Sequence, residues 1–393
     1  MHILIFEPRL GGHHLSWLGY IIEDFLSCGI NLTIAVDLRG RAREVIMGHL
    51  DAVLAEINII SAYNENGNYR GGSKIASMQA CFTENGADEI FMNNFDEIAS
   101  ATLRKAALGL MPPESLRGKI NGIYFRPRFM ESPHWPPGNI IKNVGFKRLC
   151  RGQWLKNIFL LDEYLISRAQ HEWQGPKFHF LPDVWQGNFT RDKQSARRQL
   201  GIPADKFVFL NYGIGTRRKG LHLTIRALLQ NRLPDNVFLL CAGKIAEDKE
   251  LRQGVAALEK KGLAKILNRY VSNAEEELCF AACDTVLLPY VRHFGSSGVL
   301  SRAAAAGKLV IASDEGLVAR RVRDHHLGLL FQSGNVELLR KVMGQCLTMT
   351  NEHRDRYRQN ACNFARSCSR KNFRQALQTS FETYDTEGHK ICS

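Results

Sequence analysis

His293 to Asp314 reads HFGSSGVLSRAAAAGKLVIASD. The apolar run from Thr285 to Tyr290 before it predicts a strand, and Gly295-Ser296-Ser297-Gly298 predicts a turn of small residues. A helix then runs through Ala303 to Ala306, and Leu309 to Ser313 predicts the next strand. Backbone N–H groups at such a helix start have no intrahelical partner and sit at the positive end of the dipole, a place that suits a phosphate or diphosphate. The serine hydroxyls add donors, and the glycines let a ligand approach the backbone closely. A plainer reading has equal weight from these residues alone: Ser297 caps the helix and the alanines pack it tightly on a sheet.

Outward from that stretch the chain has 393 residues, 45% of them hydrophobic, enough for two domains with substantial cores. No apolar run reaches the ~18 residues of a membrane span, and MHILIFEP opens directly as a strand, so neither a transmembrane helix nor a signal peptide is expected. The ten cysteines are scattered without a C-x-x-C pair, which predicts buried thiols in a reducing, cytoplasmic setting rather than disulfides or zinc. The net charge of +13 calls for an anionic partner. It concentrates in Ile141 to Lys156, IKNVGFKRLCRGQWLK, with five basic residues and no acid. Phe146, Leu149, Cys150, Trp154 and Leu155 alternate with those charges, the composition of a basic amphipathic helix for peripheral contact with anionic lipid, or of a solvated helix backed by core. Nucleic acid is disfavoured, because the charge is spread over folded helices and no recognition motif is present.

Strand and helix periods alternate along the whole chain, the pattern of βα units on parallel sheets. Strands are expected at Ile3–Glu7, Leu32–Val36, Ile57–Ser61, Glu89–Met92, Gly122–Phe125, Asn157–Leu161 and Phe178–Leu181. After a polar connection from Gln186 to Gln194 they resume at Phe207–Tyr212, Val237–Cys241, Ile266–Val271, Thr285–Leu288 and Leu309–Ser313. The division is residues 1–187, residues 188–365, and a helical tail 366–393 that could return to the first domain.

Two motifs carry a resemblance. The run Gly307 to Asp314, with the alanine helix before it, resembles the donor-nucleotide segment of GT-B glycosyltransferases, family four (glycosyl transferases group 1), E-G-F-G-x-x-x-x-E-A-x-A-x-G-x-P-V-I-A-S. Gly213 to Gly220, GIGTRRKG, resembles the G-R-L-x-x-x-K-G loop of that family, in which an arginine and a lysine hold the donor diphosphate. Lys219-Gly220 match, the family arginine falls on Ile214, and the family's two glutamates fall on Phe294 and Arg302. A second register resembles the family-one signature H-C-G-x-x-S-x-x-E, placing its histidine on His293 and its acid on Ser301.

The resemblance implies a GT-B fold, two Rossmann-like open parallel-sheet domains facing across a cleft. It also implies transfer of a sugar from a nucleotide-diphosphate sugar to a glycan, lipid-linked or other acceptor, with retention of configuration and no bound metal or cofactor. The donor would be held by Gly213, Arg217, Arg218, Lys219, Gly243, His293, Ser296, Ser297, Gly298 and Ser301, with Glu315 the nearest spare carboxylate for the ribose. On the other side, Gly11, Gly12 and His13 follow the first strand as the family's glycine-rich loop does. His13 and Asp96 are the candidate catalytic residues, and Asn94, Arg126 and Arg128 the candidate acceptor contacts. Three rivals stand beside this reading: an inverting transferase with His13 as base, a catalytically inactive nucleotide-binding protein, and a sugar-nucleotide 2-epimerase, for which no convincing acid/base pair is visible.

Overall fold

A computed structural model describes residues 1–8, 13–132, 134–230 and 233–381, with only the backbone of His13 and His14. The chain forms two compact units, Met1–Leu181 together with the residues from Phe373 on, and Pro182–Asn372.

The first unit is built on a seven-stranded parallel sheet. Its strands are β1 (His2–Glu7), β2 (Asn31–Val36), β3 (Asn58–Ser61), β4 (Glu89–Met92), β5 (Ile120–Tyr124), β6 (Leu155–Leu160) and β7 (Lys177–Phe180). They lie in the order β3-β2-β1-β4-β5-β6-β7. The near-continuous apolar runs of β1, β4 and β5 are buried along almost their whole length, as strands covered by helices on both faces must be. One face packs on a cluster of rings in which Phe129 lies 5.3 Å from Phe146 and 6.0 Å from Trp173, whose indole N–H donates to Asn143 at 2.8 Å. The last described helix, Arg370–Ser380, belongs here too: Phe373 meets Trp17 edge-on at 5.2 Å, and Arg374 donates to Asp24 at 2.7 Å.

The second unit has six parallel strands, β8 (Phe207–Tyr212), β9 (Val237–Ala242), β10 (Ala264–Leu267), β11 (Thr285–Leu288), β12 (Leu309–Ser313) and β13 (Gly328–Phe331), in the order β10-β9-β8-β11-β12-β13. The chain passes into it at Pro182 rather than after residue 187, because Trp185 is tied there by its indole N–H to the Ala365 carbonyl at 2.8 Å. Two strands depart from the sequence expectation. β10 ends at Leu267, since Asn268 turns its side chain to accept from the Ile245 backbone N–H and the chain leaves the ladder. β13 is short, follows His325-His326-Leu327 and opens on a glycine, so no period announced it.

Of the two readings of 141–156, the helix backed by core is the one found, with different bounds. The helix is Pro137–Arg151, and Leu155 already starts β6. Phe146, Leu149, Cys150, Trp154 and Leu155 are all buried, so the apolar residues between the charges are the face that packs into the core.

Candidate functional site

In each unit the strand order reverses once, between β1 and β4 in the first and between β8 and β11 in the second. Loops leaving the carboxyl ends of two such strands diverge and open a crevice, the place where open α/β sheets bind ligands. The loops at these two points carry many of the candidate residues, while Gly243, Glu315, Arg126 and Arg128 follow β9, β12 and β5.

In the second unit the loop after β8 carries Gly213 to Gly220 and the loop after β11 carries Pro289 to Ser297. They are stitched together: the Val291 N–H donates to the Arg218 carbonyl at 2.8 Å. Gly220 has a left-handed backbone (φ 73°), and a Cβ there would lie 1.7 Å from the Pro289 carbonyl oxygen, so only glycine lets the two loops meet. Lys219 follows from that contact. Its ammonium lies 5.3 Å over the Tyr290 ring and against the α-carbon side of Gly213, and it has no carboxylate partner among the described residues. Arg218 is exposed, and one of its guanidinium N–H groups donates to His293 Nδ1 at 2.7 Å. His293 Nε2 lies 3.0 Å from the Ser296 carbonyl; donating to it fixes the tautomer in which Nδ1 accepts.

Ser297 occupies the N-cap of the helix Gly298–Ala305 yet makes no capping bond. Its hydroxyl is instead paired with the Tyr290 hydroxyl at 3.0 Å. The first turn of this helix is therefore left without a side-chain acceptor, beside the two cations of the neighbouring loop. The positive end of the helix and Lys219 together make a site for an anion, and a diphosphate supplies the charge and the acceptor oxygens to fill it.

Other donor-side candidates are placed differently. Arg217 is exposed and paired with Asp248 and Glu250. Ser301 is fully buried close to Cys368, and its hydroxyl oxygen makes no hydrogen bond among the described residues. Gly243 is buried with its α-carbon against the Gly213 carbonyl, a packing contact that sets the spacing of the two turns. Glu315 accepts from the Arg292 backbone N–H at 3.1 Å and so braces the loop before His293.

Three groups that sequence reading passed over organise this site. Asp183, buried, takes the Ser296 hydroxyl as a partner and faces Arg321 at 3.3 Å; burial, the dominant influence, holds its carboxyl above the ordinary range even so. Glu276 accepts from Arg302 at 2.8 Å and from the Tyr212 hydroxyl at 2.5 Å, so the arginine standing where the family has a glutamate is itself held by a carboxylate from another helix. Tyr290 links the Lys219 loop to the helix start. Only the run of two hydroxyls and an aromatic at Tyr290 to Ser297 hinted at the last of these.

In the first unit Asn93 donates to Glu7 at 2.8 Å across the strand reversal. Asn94 is 5% exposed, and its side-chain oxygen has no hydrogen-bond partner among the described residues. Asp96 starts the helix Asp96–Ala107 and accepts from the Phe125 N–H at 2.8 Å; burial pushes its carboxyl up to about 6, against the pull of that bond and of Arg126. Arg126 and Arg128 are exposed just beyond β5. Gly11, Gly12 and the side chain of His13 lie outside the described residues.

Residues 192–364 match the family profile described as glycosyl transferases group 1. A curated D-inositol 3-phosphate glycosyltransferase from Arthrobacter sp. (strain FB24) is 34% identical over 143 residues, 34% of this chain and 33% of that protein, so the match spans about a third of the relative's length. Among solved structures, Anabaena HepE in complex with UDP and glucose superposes with a TM-score of 0.68 over 97% of this chain and 99% of its own, at 18% identity. WaaG, a glycosyltransferase involved in lipopolysaccharide biosynthesis, gives a TM-score of 0.65 at 16% identity over 97% and 98%. The fold of both units is thus that of GT-B glycosyltransferases.

Proposed function

We propose, from the match of residues 192–364 to the glycosyl transferases group 1 profile, that the chain is a glycosyltransferase taking its sugar from a nucleotide-diphosphate donor, UDP-linked by preference. The observation that carries this reading is the uncapped start of the helix Gly298–Ala305 beside Lys219 and Arg218 at the sheet's switch point. UDP-glucose bound to a HepE structure of the same fold supports the choice of nucleotide.

In this reading the donor diphosphate rests on the helix N-terminus. Departure of the nucleoside diphosphate builds negative charge on the bridging oxygen, and Lys219 and Arg218 neutralise it from fixed positions; no metal ion is part of the scheme. Transfer goes with retention, as the Lys219-Gly220 and Gly307–Asp314 motifs imply, and Asn94, Arg126 and Arg128 receive an acceptor that carries a negative charge. Incubation with a panel of nucleotide sugars and candidate acceptors, read by mass spectrometry and by proton coupling at the new anomeric centre, tests it. A product of retained configuration is expected; turnover of no donor, or an inverted product, contradicts it.

The contact between Arg218 and His293 makes a separate prediction. Arg218→Ala should weaken nucleoside diphosphate binding by about 1.5–3 kcal/mol, the range for a charge-assisted bond. His293→Ala removes the acceptor that aims Arg218, and the double variant should bind no worse than Arg218→Ala alone. Additive losses, read by calorimetry, would mean His293 touches the ligand itself.

A further inference from the structure

The outer side of the helix Pro137–Arg151 is a surface that the donor reading leaves unused. Ile140, Ile141 and Val144 are 44%, 47% and 41% exposed, and Trp135, in the loop before the helix, is 72% exposed. Positions 140, 144, 147, 148 and 151 recur at helical spacing, so this apolar group continues along the same face into Lys147, Arg148 and Arg151. The opposite face is fixed in place: Phe146, Leu149 and Cys150 are buried, and the backbone at Gly145 touches that of Leu103 on the neighbouring helix. The exposed side chains are therefore held outward by a rigid support rather than by a loose segment.

The basic end of the face reaches a second apolar group. Arg148 donates to the carbonyls of Ala106 at 3.2 Å and Ala107 at 2.7 Å, which draws in the loop bearing Leu108 and Leu110, 79% and 61% exposed. The helix has no acidic residue, and among the described residues Lys142, Lys147 and Arg151 have no carboxylate partner.

We propose that this face docks on an anionic lipid surface. A protein partner would select against lysine at the centre of contact, whereas tryptophan and branched aliphatics flanked by Lys and Arg are suited to the headgroup boundary, the rings and methyls in the acyl region and the charges among phosphates. No helix among the described residues is long and apolar enough to cross a membrane, so the contact is a peripheral one. It differs from the basic amphipathic segment read from sequence, whose apolar residues are core, and it does not depend on the donor reading, since it needs no nucleotide.

The test is sedimentation of the full chain, without nucleotide, with neutral phosphatidylcholine vesicles and with vesicles containing phosphatidylglycerol. Binding should require the anionic lipid and fall as salt rises. The pair Ile141→Ser and Val144→Ser should lower partitioning about tenfold, since each loses its share of buried hydrocarbon. Lys147→Ser with Arg151→Ser should lower it by about fivefold per charge. Leu338→Ser, an exposed apolar position in the second unit, should change nothing, and thermal melts should show every variant folded. No vesicle binding, equal binding to neutral and anionic vesicles, or variants that bind like the parent would overturn the proposal.

Discussion

Replacing Asp183 by alanine should destabilise the second unit by about 3–5 kcal/mol, the range for removing one partner of a buried ion pair. Arg321 is 1% exposed, and the change removes the carboxylate that faces its charge in the interior. It also releases the Ser296 hydroxyl, so the loop in front of the helix start loses an anchor. Denaturant unfolding of the full chain should show the second unit melting early while the first keeps its midpoint. Pairing Asp183→Leu with Arg321→Met should recover most of the loss, because the cost lies in the unpaired charge and not in the absence of a bridge. If Asp183→Ala alone were as stable as the parent, Arg321 would have to find another acceptor, and the bracing of Ser296 would fall with the argument.

Gly220→Ala should be nearly as severe and should act on binding as well. The added methyl must adopt φ near 73° and would overlap the Pro289 carbonyl at 1.7 Å, so either the β8 loop or the β11 loop has to move. Backbone conflict of this kind costs on the order of 3 kcal/mol or more, beyond the ~1 kcal/mol of the left-handed conformation alone. Gly201→Ala is the control: it has φ 64° and open space around its α-carbon, so only the conformational part of the cost applies. Because Lys219 is the next residue back, Gly220→Ala should also lose nucleoside diphosphate affinity in the fraction that stays folded. Equal stability losses for Gly201→Ala and Gly220→Ala would show that the loop contact at Pro289 is not a constraint.

Much of the architecture was legible because parallel sheets demand apolar runs at regular spacing with glycine or a polar turn after each. Phe207–Tyr212, Thr285–Leu288 and Leu309–Ser313 follow that rule to the residue. β13 escaped because three half-covered residues and one buried phenylalanine at a sheet edge carry no period. The loops after β8 and β11 stood out for a related reason: glycines and a lysine at strand ends have few structural uses, and Lys219-Gly220 has a steric one as well.

What escaped was everything that depends on pairing across distance. Arg321 meets Asp183 from 138 positions away, and Arg302 meets Glu276 from 26, so no local pattern connects either arginine to its acid. The same limit left two readings of 141–156 open. Apolar and basic residues alternate on that segment, but which apolar side is core is decided by the helix beside it, and the structure buries Phe146 and Leu149 while exposing Ile140, Ile141 and Val144. Ser301 lies fully buried, which a motif register alone does not fix.

The central claim is that the β8 loop and the start of the helix Gly298–Ala305 hold a nucleoside diphosphate. Isothermal titration of UDP into the parent chain and into Lys219→Ala measures it directly. The account predicts saturable binding to the parent and a loss of about 1.5–3 kcal/mol, roughly tenfold to more than a hundredfold, in the variant. No binding of UDP, GDP or ADP to the parent, or equal affinity in Lys219→Ala, would contradict it.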